Sequence, residues 1–249
     1  MKKSPKLRLD QLLINNNLAI SKSKAQSMIM AGQVSVNGKT ITKSGNSFNI
    51  ESKITIKKLH PQWVSRGALK LLKAIEFFNI DIENKICLDI GSSTGGFSEV
   101  LLKKKAKKIY SVDVGTNQLH EKLRNEKKII SIENFNAKYL DNSVIPDKID
   151  ILVCDVSFIS LKKVILPSLN LLSNRSEIIT LIKPQFETEK INLKKGIVRD
   201  EKIHLDVCND IEKWFIEKCN ANVIGLIPSP ITGPKGNIEF LIYSLLNKP

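Results

Sequence analysis

The feature that most constrains the fold is a turn of three glycines between an apolar run and a helical pattern. Residues 85–90 are Lys-Ile-Cys-Leu-Asp-Ile, and Gly91, Gly95 and Gly96 follow within six positions. Glycines permit positive φ angles and let the backbone approach a ligand closely, and the first N–H groups of the predicted helix 97–105 point into the turn. The stretch therefore predicts a strand, a tight turn and a helix that together bind a nucleotide-like cofactor.

The spacing of the glycines favours S-adenosylmethionine (SAM) over a nicotinamide dinucleotide. The pattern is Gly91-x-x-x-Gly95-Gly96 rather than G-x-G-x-x-G, and SAM has no pyrophosphate for the turn to cradle. The next predicted strand, 108–114, contains an acid about twenty residues further on, where such folds place a carboxylate on ribose hydroxyls. We therefore expect Asp113 to bind the ribose of the cofactor.

The same turn also fits a different kind of site. Gly91-Ser92-Ser93-Thr94-Gly95 matches the G-x-S-x-G nucleophile elbow, which occupies the same strand–turn–helix in hydrolases. A hydrolase would need a downstream catalytic histidine, and the two downstream histidines, His120 and His204, both fall within helical patterns. The elbow stays open as an alternative to the cofactor turn.

The composition is that of an ordinary globular chain. A hydrophobic content of 42% in 249 residues allows one large domain, or one medium and one small domain. No run approaches about eighteen apolar residues and no apolar leader follows Met1, so we expect a cytoplasmic protein without a membrane partner. No C-x-x-C pair is present, so we expect no metal site and four buried thiols. The cysteines are Cys87, Cys154, Cys208 and Cys219.

The net charge of +14 is concentrated at one end of the chain. Residues 1–60 hold eleven basic and two acidic residues, a net charge of +9, whereas residues 61–249 carry +5. A solvated face or a lysine-rich genome would also produce an excess of lysine. Its concentration in one small segment instead favours a polyanionic partner.

Segment 1–60 has the pattern of a small α+β domain. A short helix is expected after Arg8 and a second one from the capping box of Ser23 and Gln26, and Asn37-Gly38 predicts a hairpin. Two helices on a small sheet resemble the ribosomal-protein-S4-like RNA-binding domain. The resemblance implies that basic side chains grip folded RNA through its phosphates and shape. The candidate side chains are Arg8, Lys22, Lys24 and Lys39.

The rest of the chain alternates strands with helices. The polar segment 57–62 is the predicted linker between domain 1–60 and domain 61–249. Alternation from residue 86 to 227, with one helix expected over 117–125, predicts a parallel sheet, and the final apolar run 238–243 is expected to add a seventh, antiparallel strand. The fold class is therefore α/β, a Rossmann-like SAM-dependent methyltransferase with a small N-terminal α+β domain. In the first helix of domain 61–249, Leu69, Leu72 and Ile75 are expected to face the core.

Polar residues at the edge of this sheet form a candidate site. Asp155 and Lys183 each close a predicted strand, Lys70 lies on the helix that leads into the fold, and Glu239 begins the last strand. One such residue alone would be a solvated strand end. Ligands of open α/β sheets lie beyond the carboxyl ends of the strands, so two lysines and two acids there indicate a site.

Over nearly its whole length the chain resembles the TlyA (hemolysin A) family of ribosomal RNA 2′-O-methyltransferases. Its motifs occur in the family's order, with one departure at Ala68, where members usually show a second glycine. The motifs are Arg8-Leu9-Asp10, Val64-Ser65-Arg66-Gly67, Leu88-Asp89-Ile90-Gly91, Asp155-Val156-Ser157-Phe158-Ile159-Ser160, Lys183-Pro184-Gln185-Phe186-Glu187 and Pro228-Ser229-Pro230-Ile231-Thr232-Gly233-Pro234-Lys235-Gly236-Asn237.

The resemblance implies a function and a set of site residues. It implies methyl transfer from SAM to cytidine ribose in ribosomal RNA, within ribosomal subunits, and an RNA contact at Arg66. The implied catalytic tetrad of FtsJ-like enzymes is Lys70, Asp155, Lys183 and Glu239. The implied SAM contacts are Gly91, Ser92, Ser93, Thr94, Gly95, Gly96, Phe97, Asp113, Asn136 and Asp155.

Those residue types suit the chemistry. A ribose 2′-hydroxyl is a poor nucleophile, so the enzyme must align it with the sulfonium methyl and remove its proton. We expect Lys183 to be the general base, which it can be only when neutral, and a nearby cation, Lys70, favours that form. Asp155 and Glu239 are expected to orient the two amines.

Two functions of other classes stay open. One is an RNA-binding protein in which SAM is only structural, although an intact tetrad argues against it. The other is the haemolysin suggested by the family's older name. A haemolysin would need an amphipathic or membrane-spanning segment, which the sequence does not contain.

A chain that begins at Pro61 is expected to fold and to bind SAM but to methylate ribosomal RNA poorly, because +9 of the +14 charge leaves with segment 1–60. RNA affinity of the full chain is expected to fall steeply with salt. Methyl transfer from labelled SAM to unmodified ribosomal subunits compares the two chains. Equal modification by both would contradict an RNA-binding role for segment 1–60.

Overall fold

The computed structural model of the protein describes residues 5–19, 21–30, 32–56 and 63–248, apart from the side chains of residues 23, 24, 27 and 234. The chain divides into two compact units, Met1–Gln62 and Trp63–Pro249. The sequence places this boundary after residue 60, and the predicted linker 57–62 lies outside the described residues.

The first unit combines two short helices with small antiparallel sheets. Strand β1 pairs with β4, and β2 lies between β3 and β5. Asn37 and Gly38 have φ angles of 49° and 81°, as the predicted two-residue hairpin requires. The elements are β1 (Lys6–Arg8), α1 (Leu9–Asn15), α2 (Lys22–Met30), β2 (Val34–Val36), β3 (Lys39–Thr40), β4 (Ser47–Asn49) and β5 (Ile54–Ile56).

A buried carboxylate connects the two helices of this unit. Asp10 is fully buried and accepts hydrogen bonds from the Arg8 guanidinium at 2.8 and 3.0 Å and from Gln26 Nε2 at 2.9 Å. Arg8 and then Gln26 hold the pKa of Asp10 well below its usual range. The Gln26 amide thus links α2 to α1, whereas the predicted capping box cannot be described, because the Ser23 side chain lies outside the described residues.

The second unit is a seven-stranded sheet in the order β11-β12-β10-β9-β6-β7-β8. The pairs from β10 to β8 are parallel, and β12 runs antiparallel between β10 and β11. The predicted fold class is therefore confirmed. The strands are β6 (Ile86–Ile90), β7 (Lys108–Val112), β8 (Ile129–Ile132), β9 (Ile149–Cys154), β10 (Leu172–Ile182), β11 (Ala221–Pro228) and β12 (Phe240–Asn247).

Helices cover both faces of the sheet and create two apolar cores. Helices α3 and α4 pack on one face through residues such as Leu71 and Leu101, and α6 and α8 pack on the other through Ile165 and Phe215. The helices are α3 (Ala68–Phe78), α4 (Gly96–Lys103), α5 (Glu121–Arg124), α6 (Lys162–Ser168), α7 (Pro184–Glu187) and α8 (Glu201–Cys219).

Two details of this unit differ from the prediction. Leu69 is 42% exposed, because helix α3 faces the sheet with Ala68, Leu71 and Ile75 at i, i+3 and i+7. The predicted helix 117–125 is reduced to α5. The Glu133 carboxylate accepts the backbone N–H groups of residues 117–119 and so holds that segment as a loop.

Candidate active site

The glycine turn lies at the carboxyl end of the central strand β6, between β7 and β9. Gly91 has φ of 81°, and a Cβ atom there would lie 2.8 Å from the carbonyl oxygen of Asp155. The Asp155 N–H also donates to the Ile90 carbonyl at 3.0 Å. The turn and the end of β9 thus meet at a separation that only glycine allows.

Gly95 has a different part in the turn. It precedes α4 with φ of 94°, and a Cβ atom there would collide with the side chains of Leu119 and Leu123. Gly95 therefore lets the segment after β7 pack against the start of α4. Among the residues predicted to bind SAM, Gly95 lines neither of the cavities beside the turn.

Two cavities adjoin at this turn. The smaller, of about 250 Å³, contains Lys70 and Lys183 in its wall, and the larger, of about 450 Å³, contains Asp113 and Asn136. Other predicted SAM residues in the wall of the smaller cavity are Ser92, Thr94, Gly96 and Phe97. The residues common to both walls are Gly91, Ser93, Asp155 and Ser157.

The four predicted tetrad residues come together at the smaller cavity. Lys70 Nζ lies 2.8 Å from Glu239 Oε2 and 3.1 Å from Asp155 Oδ2. Lys183 Nζ lies 2.6 Å from Asp155 Oδ1. The side chains therefore form one alternating row of charges, Glu239, Lys70, Asp155 and Lys183, in which both lysines and Glu239 are buried.

Asp155 occupies the centre of this row. Burial alone would raise the pKa of Asp155, but attraction to Lys183 and Lys70 outweighs it, so the pKa lies below its usual value. Each of its oxygens faces one lysine. The sequence predicted Lys70 beside Lys183, and the structure places the Asp155 carboxylate between the two amines.

The Glu239 carboxylate packs directly against Gly233. Its Oε1 atom has no hydrogen-bond partner among the described residues, and the carboxylate occupies the space that a Cβ atom on Gly233 would take. Next to Gly233, the Thr232 carbonyl accepts a hydrogen bond from the exposed Arg66 guanidinium at 3.3 Å. Arg66, predicted to contact RNA, thus lines the wall of the smaller cavity.

Backbone N–H groups position Asp113, the residue predicted to bind the cofactor ribose. The Asp113 carboxylate accepts the backbone N–H of Ser93 at 2.8 Å and that of Gly115 at 2.7 Å. Asp113 is 9% exposed. Asn136 follows β8, and its side chain accepts from the Lys138 N–H at 3.1 Å. Both side chains lie in the wall of the larger cavity.

A second carboxylate supports the turn from within the sheet. Asp89 is fully buried on β6 and accepts from Ser98 Oγ at 2.6 Å, and Ser98 Oγ lies 2.7 Å from Ser111 Oγ. Burial raises the pKa of Asp89 to about 7, against the effect of the Ser98 hydroxyl. Helix α4 is thereby connected to the two central strands below the glycines.

The sequence did not reveal two neighbours of the tetrad. Ser157 Oγ accepts a hydrogen bond from Lys183 Nζ at 2.8 Å. Phe158 has φ of 64° and is 92% exposed, with its ring centroid 5.1 Å from that of Phe186. Both residues belong to the motif that begins at Asp155. The motif draws attention to this segment, but neither the contact of Ser157 with Lys183 nor the positive φ angle of Phe158 can be derived from it.

The hydrolase alternative lacks its histidine. His120 Nδ1 accepts from the Lys122 N–H, and buried His204 lies against the ring of Phe240. Within the ranges that the structure describes, neither histidine forms a hydrogen bond with Ser93.

The basic residues predicted to contact RNA in the first unit have different surroundings. Arg8 pairs with Asp10 while half of its side chain stays exposed. Lys22 and Lys39 are exposed. The Lys24 side chain lies outside the described residues.

Several other expectations concern what the chain contains. The four cysteines are buried and unpaired, as predicted. Among the described residues, no group of three or more His, Cys, Asp or Glu side chains could hold a metal ion. In the same part of the chain, every helix is too short or too polar to cross a membrane.

Comparison with known proteins identifies the family. The FtsJ-like methyltransferase model matches residues 63–245, and the S4 domain model matches residues 7–46. Hemolysin A of Brachyspira hyodysenteriae is 43% identical over 242 residues, which span 96% of this chain and 100% of that protein. The 16S/23S rRNA (cytidine-2′-O)-methyltransferase TlyA of Mycobacterium tuberculosis is 34% identical over 238 residues, 95% of this chain and 88% of that one.

A solved structure agrees with these relatives. A candidate hemolysin of Streptococcus thermophilus has a TM-score of 0.78 and 37% identity, and the match covers 98% of this chain and 90% of the other. The fold and the site define a methyltransferase of the FtsJ-like class. Within that class, the chain belongs to the hemolysin A (TlyA) family, as the sequence predicted.

Substitution Gly91→Ala is expected to lower the free energy of unfolding of the second unit by roughly 2–5 kcal/mol, from left-handed strain and overpacking against Asp155. Gly236→Ala is the control, because Gly236 has φ of 89° and open space around it. It should cost only about 1–2 kcal/mol. Urea unfolding followed by the fluorescence of Trp63 and Trp214 measures both. Equal losses would show that the approach to Asp155 is not a constraint.

Proposed function

We propose that the protein transfers a methyl group from SAM to the 2′-hydroxyl of a cytidine in ribosomal RNA. The observation that carries the proposal is the common wall of the two cavities, where Asp155 and Ser157 belong to both. A methyl donor in the larger cavity and a ribose in the smaller one would meet at this wall. The tetrad lies beside it.

The larger cavity suits SAM. Gly91 lines this cavity without a side chain, and the Asp113 carboxylate has the acceptor oxygens that ribose hydroxyls require. Asn136 adds a polar group to the same wall. When bound, SAM would supply a sulfonium methyl that is already activated for attack, so the protein must align the nucleophile and remove its proton.

Lys183 is the proposed general base. The residue is 6% exposed in the wall of the smaller cavity, where a 2′-hydroxyl would lie. The Lys183 amine would accept the proton of the 2′-hydroxyl as the O–H bond breaks and the oxygen is methylated. Asp155, at 2.6 Å, stabilises the ammonium that forms, and Lys70 stays paired with Glu239.

The substrate class rests on the first unit and on the relatives. The S4 domain and the +9 charge of segment 1–60 suit a folded polyanion. The Mycobacterium tuberculosis relative is named for cytidine 2′-O-methylation of 16S and 23S rRNA. We extend that activity to this chain, with ribosomal subunits in the cytoplasm as the natural form of the substrate.

Substitution Asp113→Ala tests the cofactor. It removes the ribose acceptor and leaves the Ser93 and Gly115 N–H groups without their partner, so SAM binding should weaken by roughly 1–3 kcal/mol. Titration calorimetry measures the affinity for SAM, and Asp81→Ala is the control because Asp81 is an exposed carboxylate of the same unit. Unchanged SAM affinity in Asp113→Ala, or a preference for a nicotinamide dinucleotide, would contradict the assignment.

Substitution Lys183→Arg separates a proton acceptor from a fixed positive charge, because arginine does not deprotonate in proteins. SAM and RNA binding should stay close to wild type, while the single-turnover rate falls roughly 10²–10⁴-fold. Lys70→Arg should be milder, since a fixed cation partly fills its place between Asp155 and Glu239.

Labelled SAM and unmodified ribosomal subunits provide the assay, with the modified nucleotide located by mapping. Near-full turnover by Lys183→Arg would make Lys183 a binding residue. Methyl transfer to a base rather than to a ribose would refute the proposed reaction.

A further inference from the structure

Lys183 has two acceptors in the folded protein, and only one of them belongs to the tetrad. Its Nζ atom lies 2.6 Å from Asp155 Oδ1 and donates to Ser157 Oγ at 2.8 Å. The Lys183 side chain is 8% exposed, so few other partners can reach the amine. Ser157 lies two residues beyond Asp155 and lines both cavities.

Ser157 is committed to this contact. Its hydroxyl oxygen accepts from Lys183, and no other hydrogen bond of its side chain occurs in the described part of the chain. The other serine of the same motif, Ser160, differs, because its hydroxyl donates to Glu187 Oε2 at 2.7 Å and anchors the start of α6. The two serines of the motif therefore differ: Ser157 contacts Lys183, and Ser160 makes a structural hydrogen bond.

The number of hydrogen-bond acceptors around Lys183 Nζ matters because only the neutral amine can act as a base. A neutral amine has two N–H bonds and one lone pair. If Asp155 alone fixed one N–H, the second N–H and the lone pair could still exchange places in the two remaining directions. A second acceptor fixes the other N–H, and the lone pair then has one remaining direction.

We propose that Ser157 is a positioning residue that aims the lone pair of Lys183 at the ribose hydroxyl. The proposal rests on the proposed function, with Lys183 as the proton acceptor. When the proton arrives, the ammonium keeps its bonds to Asp155 and Ser157, and the third N–H faces the methylated oxygen. The proton leaves to solvent before the next turnover.

Substitution Ser157→Ala tests this directly. SAM binding and RNA binding should stay within about twofold of wild type, whereas the single-turnover rate should fall roughly 10–100-fold, as for a misaligned catalytic group. The loss of an acceptor that stabilises the ammonium should also move the midpoint of the pH–rate curve to lower pH. Ser157→Thr keeps a hydroxyl and should restore most of the rate and the midpoint.

The matched control is Ser160→Ala, which removes a structural hydrogen bond from the same segment without touching Lys183. It should leave the midpoint of the pH–rate curve where it is, even if it lowers stability. A wild-type rate and midpoint in Ser157→Ala would overturn the proposal, and so would an equal midpoint shift in Ser160→Ala.

The two levels of the hypothesis fail in different ways. If the wild-type protein transfers no methyl to ribose, or if Lys183→Arg keeps full turnover, the proposed function or its base is wrong, and the role of Ser157 falls with it. If wild type is active, Lys183→Arg is inactive and Ser157→Ala is unaffected, only the positioning role is wrong.

Discussion

The site depends on the close approach of two main-chain segments at Gly91 and Asp155. Strand β6 turns away from the sheet just where β9 ends, and the absence of a side chain at Gly91 lets the two ends meet. This contact sets the position of Asp155, which faces both cavities and both lysines. A larger residue at 91 would displace both the glycine turn and the charge row, because Gly91 belongs to the turn and the Asp155 backbone that it contacts carries the central carboxylate of the row.

The charge row is costly to the fold, which points to a role in chemistry. Two amines and Glu239 are almost removed from water, and the desolvation of such ions is a free-energy cost that their mutual attraction must offset. The four residues come from a helix and the ends of three strands, so no single element could supply the arrangement. Their alternation keeps the row close to neutral, and the two amines beside Asp155 hold the pKa of its carboxyl below the usual value.

Local pattern was enough to predict much of the architecture. The glycine turn, the parallel sheet and the antiparallel last strand follow from periodicity and from residues that terminate strands, and strand ends identified Asp155 and Lys183. Contacts distant in sequence were not accessible in this way. Gln26 donates to Asp10 on the neighbouring helix, Glu133 accepts N–H groups where a helix was predicted, and Ser157 accepts a hydrogen bond from Lys183 at the end of the next strand. Each depends on which side chain is nearest after folding.

The position of β12 has a consequence for biosynthesis. This strand is translated after all the others of the sheet, yet it lies inside the sheet, and within the described residues β11 pairs with β12 alone. A growing chain without β12 therefore leaves an edge of β10 uncovered, lacks Glu239 and cannot complete the row around Lys70. The charge row can therefore form only once synthesis of the whole sheet is complete.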